Sequence, residues 1–304
     1  MTAAAPTPLR YLLFVLNPVS GDLDKSALEQ TLADYCTERG RVATFYHTSG
    51  TNDLAALRAH LSQHAYDAVF AAGGDGTVSL AAEALLEQAT PLGIVPLGSG
   101  NGLSKDLGIP QETQHAMQLI WRYSERVIDT LRIGGHFSAH LADLGFNALV
   151  VERFNQGDTR GPGAYVRIAT QEYLGYEPVT YRIETDQETW EGLAFMVTIA
   201  NANTFGSNVI INPHSDLDDG QFEICLIEPF PGAAAPGILY RLYTSGFDES
   251  NYTRRLCCRR ASISVPGTRE VLVQIDGEPR KLPTPVRIEI DPQSLRVLVP
   301  LPGP

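Results

Sequence analysis

The 304-residue chain is poor in cysteine, in basic charge and in long apolar runs, and each shortage argues against a class of protein. Its four cysteines, Cys36, Cys225, Cys257 and Cys258, show no CxxC or other ligand spacing, and two of them are adjacent. That arrangement suits neither a disulfide framework nor a cysteine metal site, and a reducing, cytoplasmic setting fits it best. Only 23 lysines and arginines stand against 35 acids, for a net charge of -12. Nucleic-acid binding relies on neutralising phosphates with Lys and Arg, so no nucleic-acid partner is expected. No run approaches the ~20 apolar residues of a membrane-spanning helix, and the opening MTAAAPTPLR lacks the long apolar core of a signal peptide. Membrane contact is therefore expected to be peripheral. No internal repeat stands out. What remains, with 43% hydrophobic and 19% charged residues, is the composition of a soluble globular protein long enough for two domains.

The most informative stretch runs from Tyr66 to Leu103. An apolar run, Ala68 to Ala72, stops at Gly73-Gly74-Asp75-Gly76-Thr77, after which apolar residues recur at helical spacing through Leu80, Ala84 and Leu85. A second apolar run, Gly93 to Leu97, ends in Gly98-Ser99-Gly100-Asn101-Gly102. Strand, glycine turn and helix thus occur twice, which brings two glycine loops to one sheet edge, where open α/β sheets bind ligands. Glycine lets backbone approach a ligand closely, and helix-start amides attract phosphate. An acid among phosphate-facing amides calls for a cation, so Asp75 points to a nucleotide with Mg²⁺; the plainer alternative is a helix-capping aspartate.

The rest of the first half continues the alternation. Tyr11 to Leu16 is a strand breaking into Asn17-Pro18-Val19-Ser20-Gly21; Ser26 to Tyr35 reads as a helix, Val42 to Tyr46 as a strand, and Asp53 to Gln63 as a helix. This predicts a parallel sheet covered on both faces. Gln111 to Tyr123 is read as a further helix. From about Leu131 short apolar or alternating runs take over, at 136–142, 179–184, 192–201, 220–227, 261–265, 271–275 and 286–290. They predict an antiparallel β-sandwich entered by one helix at about Gly163 to Tyr173. The expected fold is α/β plus all-β, with domains at 1–130 and 131–292 and a last strand near 293–304 as a candidate to rejoin the first.

NPVSG at 17–21, GGDGT at 73–77, PLGSGNGLSKDLGIP at 96–110, NPHSDLDDGQFEICLI at 212–227 and IDGEP at 275–279 follow the order of motifs in the diacylglycerol kinase catalytic-domain superfamily. The chain resembles that superfamily's bacterial diacylglycerol kinase-like and sphingosine kinase-like members. The resemblance implies a Rossmann-like ATP-binding domain, a β-sandwich lipid-binding domain, and transfer of the γ-phosphate of ATP to a lipid hydroxyl at a membrane surface. It implies ATP and Mg²⁺ as cofactors, and it leaves room for a homodimer. The alternatives are an enzyme like NAD kinase, which shares a GGDGT loop, and a catalytically weak lipid- or nucleotide-binding regulator.

Residue by residue, the resemblance puts Asn17, Ser20, Gly21 and Thr48 against the nucleotide, wraps Gly73, Gly74, Asp75, Gly76 and Thr77 around its phosphates, and completes the pocket with Ser99 and Asn101. In the DGE segment it makes one acid the base, Glu278 first and Asp276 second; the turn alone would read as a plain Asp-Gly hairpin. It links Asp129 through water to the catalytic Mg²⁺, against a loop aspartate as the alternative. It also suggests a structural Mg²⁺ on Asp219 with the carbonyls of Asp216 and Gln221, where the bland reading is a solvated turn. Three positions depart from the motifs. Asp22 stands where bacterial members often have lysine, which leaves Lys25 and Lys105 to meet phosphate charge. Lys105 replaces an arginine, keeping the charge without the bidentate fork. Gly102 replaces the aspartate of the bacterial GTGND form, which brings GSGNGL closer to the sphingosine kinase-like branch.

Overall fold

In the computed structural model, residues 9–18, 25–157, 161–205, 209–213 and 215–301 are described. Tyr11–Leu16 (β1) is buried from Leu12 onward, as a strand covered on both faces must be. It lies between Val42–His47 (β2) and Ala68–Gly73 (β3), parallel to both, and β3 carries Leu92–Pro96 (β4) on its far side, again parallel. The order is β2-β1-β3-β4. Lys25–Glu38 (α1), Asp53–Gln63 (α2) and Asp75–Ala84 (α3) make the crossovers, giving the doubly wound arrangement whose strands change direction of succession between β1 and β3. Register pairs Leu16 with both His47 and Ala72, and Gly73 with Pro96. The residues that follow, Asn17, Thr48, Gly74 and Leu97, therefore leave the sheet along one edge.

Gly102–Asp106 (α4) and Thr113–Ala116 (α5) come next. The helix expected from Gln111 to Tyr123 is shorter than its sequence suggests, because after α5 the chain tightens into a 3₁₀ turn at Met117–Ile120. Met117, Leu119 and Ile120 are all buried there, a wider apolar arc than one α-helical face supplies. Ser124–Ile133 (β5) follows.

The chain divides into two compact units, one reaching Ile128 and resuming at Ser294, the other spanning Asp129–Gln293. The second contains His136–Ser138 (β6), Leu141–Gly145 (β7), Phe146–Gln156 (α6), Pro162–Tyr173 (α7), Val179–Thr185 (β8), Thr189–Ala194 (β9), Met196–Ala200 (β10) and Phe222–Ile227 (β11). Ala235–Tyr243 (α8), Thr253–Cys258 (β12), Arg260–Ser264 (β13), Glu270–Ile275 (β14), Glu278–Pro283 (β15) and the first part of Val286–Val299 (β16) complete it; the end of β16 belongs to the first unit, where Val297 pairs in parallel with Leu92 of β4. One sheet runs β12-β11-β10-β7-β14-β15, and β16, β13, β8 and β9 lie side by side in the other. Leu144, Val197, Ile224 and Val273 from the first meet Ile183, Ile263 and Ile288 from the second in one apolar core, which makes the unit a sandwich.

The single helix expected here is joined by α6 and α8. Phe146, Val150 and Phe154 recur every four residues in α6, and Ile238 and Leu242 in α8. That is the helical period, which is easily passed over in a region read for alternation. The arginine-rich segment TRRLCCRR is strand β12 and the start of β13, where Arg254 pairs with Glu228 and Arg255 with Asp248.

Inside the first sheet Phe70 stacks on Phe14 with ring centroids 5.3 Å apart, and a Cβ on Gly93 would fall 2.3 Å from the Phe70 ring. Gly93→Ala should therefore overpack the core and cost about 1–3 kcal/mol in urea unfolding. The same change made on Phe70→Leu should cost much less than it does in the wild type, and equal costs in the two backgrounds would show that the ring is not what requires glycine at 93.

Candidate functional site

The two glycine loops meet at the shared edge of β3 and β4. Gly73 ends β3, Gly74 caps α3, and the amides of Thr77 and Val78 both donate to the Gly74 carbonyl at 3.0 and 3.1 Å. Asp75, the first residue of α3, turns its carboxylate toward the other loop. Its Oδ2 accepts the Asn101 N–H at 3.1 Å and its Oδ1 the Gly102 N–H at 2.9 Å. Glycine is required for this approach at two positions: a Cβ on Gly98 would lie 2.6 Å from the Gly74 Cα, and one on Gly100 would lie 2.5 Å from Asp75 Oδ2.

Asn101 adopts a left-handed φ of 53° and folds its side chain back onto its own loop, accepting the Gly98 N–H at 3.0 Å and donating to the Gly98 carbonyl at 2.8 Å. Its amide also donates to Gln111 Oε1 at 3.2 Å, and Gln111 donates in turn to Ser104 Oγ and the Ile109 carbonyl. Gln111 was not legible in sequence, because a lone glutamine after Pro110 carries no motif. Thr48 is buried beside the end of β1, its N–H on the Leu16 carbonyl at 2.9 Å. Asn17 is half-buried after β1, Gly76 and Ser99 are exposed, and Lys105 is half-buried in α4. Ser20 and Gly21 lie outside the described residues. The loops thus surround the first turn of α3, whose leading amides have no acceptor within the helix and whose dipole favours an anion.

In the second unit the DGE segment is a two-residue hairpin turn joining β14 and β15. Asp276 and Gly277 have φ of 47° and 89°, and Ile275 pairs with Glu278, the type I′ geometry that Asp-Gly favours. The two acids have different surroundings. Asp276 accepts from Ser138 Oγ at 2.7 Å, the Leu141 N–H at 3.2 Å and the Ala139 N–H at 3.1 Å, which ties the turn to the loop before β7. The Glu278 side chain is exposed and has no hydrogen bond or ion pair to a described residue. Gly277 is held from both sides, its N–H by Gln274 Oε1 at 2.8 Å and its carbonyl by the Asn155 amide of α6 at 3.2 Å.

Asp129 is fully buried, with one carboxylate oxygen on the Gly220 N–H at 2.7 Å and the other on the Gln293 N–H at 2.6 Å. Its own N–H donates to the Leu217 carbonyl at 2.7 Å, so it fixes the acidic loop Asp216 to Gly220. Within that loop Asp219 accepts the Gln221 N–H at 2.8 Å. Burial raises the Asp219 carboxyl above its ordinary range, the Gln221 amide opposes this, and the negative charges of Asp216, Asp129 and Asp218 add to the rise. Among the described residues no group of three His, Cys, Asp or Glu side chains gathers to hold a metal.

Residues 11–133 match the family model described as diacylglycerol kinase catalytic domain, and 141–299 match the YegS C-terminal NAD kinase beta sandwich-like domain. The chain is 30% identical over 251 residues to a Stenotrophomonas maltophilia protein named "Probable lipid kinase YegS-like", a match covering 78% of this chain and 80% of that one. The chain belongs to the diacylglycerol kinase catalytic-domain superfamily. A Staphylococcus saprophyticus member of that superfamily, named "Diacylglycerol kinase", is 25% identical over 272 residues, 87% of each chain. The crystal structure of a Bacillus anthracis diacylglycerol kinase shares the fold with a TM-score of 0.76 at 21% identity, covering 98% of this chain and 99% of that one.

Replacing Asp75 by asparagine leaves one acceptor oxygen for two amides. A hydrogen bond to a charged group contributes about 1.5–3 kcal/mol, so Asp75→Asn should fold but unfold at lower urea concentration with no ligand present. Wild-type stability in that variant would show that the two loops hold together without the carboxylate.

Proposed function

We propose that this superfamily member is an ATP- and Mg²⁺-dependent lipid kinase that transfers the γ-phosphate to a hydroxyl of a lipid such as diacylglycerol or a sphingoid base. The observation that carries the reading is the pair of glycine loops bracketed by Asp75 at the carboxyl edge of a parallel sheet. Phosphoryl transfer asks a protein mainly for positioning and charge stabilisation. In this reading the backbone from Gly73 to Thr77 and Ser99 lines the phosphates, Asn17 and Thr48 flank the nucleotide with Ser20 and Gly21, Asn101 keeps the second loop in shape, and Lys105 supplies positive charge.

Asp75 fits a Mg²⁺ ligand. Each of its oxygens accepts one amide and keeps further acceptor capacity, and Gly100 leaves the space beside Oδ2 free of a side chain. Magnesium is commonly held by one or two carboxylates with phosphate oxygens and water, which a three-carboxylate cage is not needed to provide. When bound it would neutralise charge on the transferring phosphate. For the acidic loop we place a structural cation on Asp219 with the carbonyls of Asp216 and Gln221, and Asp129 acts by fixing the loop.

Glu278 takes the role of general base. It stands unpaired on a turn that Asp276 anchors, so it is the one of the two acids with its acceptor sites open. Exposed Leu174, Leu239, Tyr240 and Tyr243 support a peripheral contact with the lipid surface from a cytoplasmic protein, and no helix among the described residues is long and apolar enough to cross a membrane.

The test is phosphorylation with labelled ATP across diacylglycerol, sphingosine, ceramide, an isoprenoid alcohol and NAD⁺. Label on a lipid is expected, and label on NAD⁺ alone would replace the reading by a nucleotide kinase. With the accepted lipid, Glu278→Gln should lose about 10²–10⁴-fold in kcat with ATP affinity unchanged. Retention of more than about a tenth of wild-type kcat would remove Glu278 from the role.

A further inference from the structure

The outer face of the second unit's sheet carries an acid that the proposed chemistry does not use. In β7 the side chains of Ala142 and Leu144 enter the sandwich core, and Asp143 between them points to the opposite face. Register sets Thr198 of β10 and Gln274 of β14 directly beside it, so three polar side chains form a row across adjacent strands. All three are buried, with Asp143 and Thr198 fully inaccessible and Gln274 2% exposed. An acid in such a place is retained only if its oxygens are satisfied, and here three side chains donate to it. The Thr198 hydroxyl and the Gln274 amide donate to it, as does the Asn147 amide in the first turn of α6 at 2.7 Å; Asn147 in turn accepts from the Tyr165 hydroxyl of α7.

The row ends at the DGE turn. With its NH₂ group committed to Asp143, the Gln274 amide has one orientation, and its carbonyl oxygen is left to accept the Gly277 N–H at 2.8 Å. The other hold on Gly277 comes from Asn155, on the helix whose first turn Asp143 also grips. We propose that Asp143 is a positioning residue: by fixing the Gln274 amide and the start of α6 it sets the place of Gly277 and, through it, of Glu278. The consequence for catalysis rests on the reading of Glu278 as base, whereas the consequence for the turn does not.

Thr198 meets one carboxylate oxygen of Asp143, and the Asn147 and Gln274 amides share the other. Burial pushes the Asp143 carboxyl up to about 6, while the bonds from Thr198, Asn147 and Gln274 and the nearby His140 hold it down.

The experiment pairs hydrogen exchange with kinetics. Asp143→Ala removes the acceptor shared by the Gln274 and Asn147 amides, so nothing then fixes which end of the Gln274 amide faces the Gly277 N–H. Exchange across residues 275–278 should then rise roughly tenfold, the loss of one hydrogen bond, with exchange in the glycine loops of the first unit unchanged. With an accepted lipid, kcat should fall and the KM for ATP should stay constant. Combining Asp143→Asn with Gln274→Glu instead moves the carboxylate one strand along, where it accepts both from the new amide and from Gly277, and should restore protection and kcat together. A role in general stability alone would give no such rescue. Should Asp143→Ala fail to fold, Gln274→Met keeps the volume and the aspartate and removes the relay, with the same rise in exchange expected. Wild-type exchange at 275–278 in whichever of Asp143→Ala and Gln274→Met folds would overturn the proposal. A rise and rescue in exchange with kcat unmoved would uphold the positioning role and remove Glu278 as base.

Discussion

The first unit depends on one carboxylate bridging two loops. Asp75 leaves the end of β3 and accepts the amides that open α4, at 2.9 and 3.1 Å. Two loops that follow different strands are thereby held close enough for the Gly74 and Gly98 backbones to touch, and Gly98 and Gly100 are required by that closeness. The acid that the sequence suggests for a metal has a structural task as well. The two tasks are compatible, because a carboxylate has about four acceptor positions and the amides take two.

The second unit repeats the device. Asp276 ties its turn to the loop before β7, Asp129 ties the acidic loop to the middle of β16, and Asp143 ties three strands' worth of side chains to α6. In each case an acid accepts from backbone, amide or hydroxyl donors.

Much of this was legible in sequence. The strand, glycine loop, helix repeats gave the parallel sheet, because apolar runs of five or six residues ending in glycine have few other folds available. GGDGT, GSGNG and DGE marked the places where backbone geometry is special. What escaped was of two kinds. Residues such as Gln111, Gln274 and Asn155 act through a single amide aimed across space, and no spacing in the chain encodes that. Asp143 left a trace, an acid inside the apolar run LADLG, but an alternating strand allows such an acid to face solvent, and only the cover of α6 makes it buried. The helices α6 and α8 were hidden for a related reason, since a four-residue apolar period is weak when the neighbouring segments alternate.

The central claim is that the two loops bridged by Asp75 form one nucleotide cradle. Hydrogen exchange of the full-length protein with and without Mg·ATP addresses it directly. The account predicts slowed exchange in peptides covering 73–77 and 98–102 together. Slowing in one loop alone, or only at sites away from both, would contradict it.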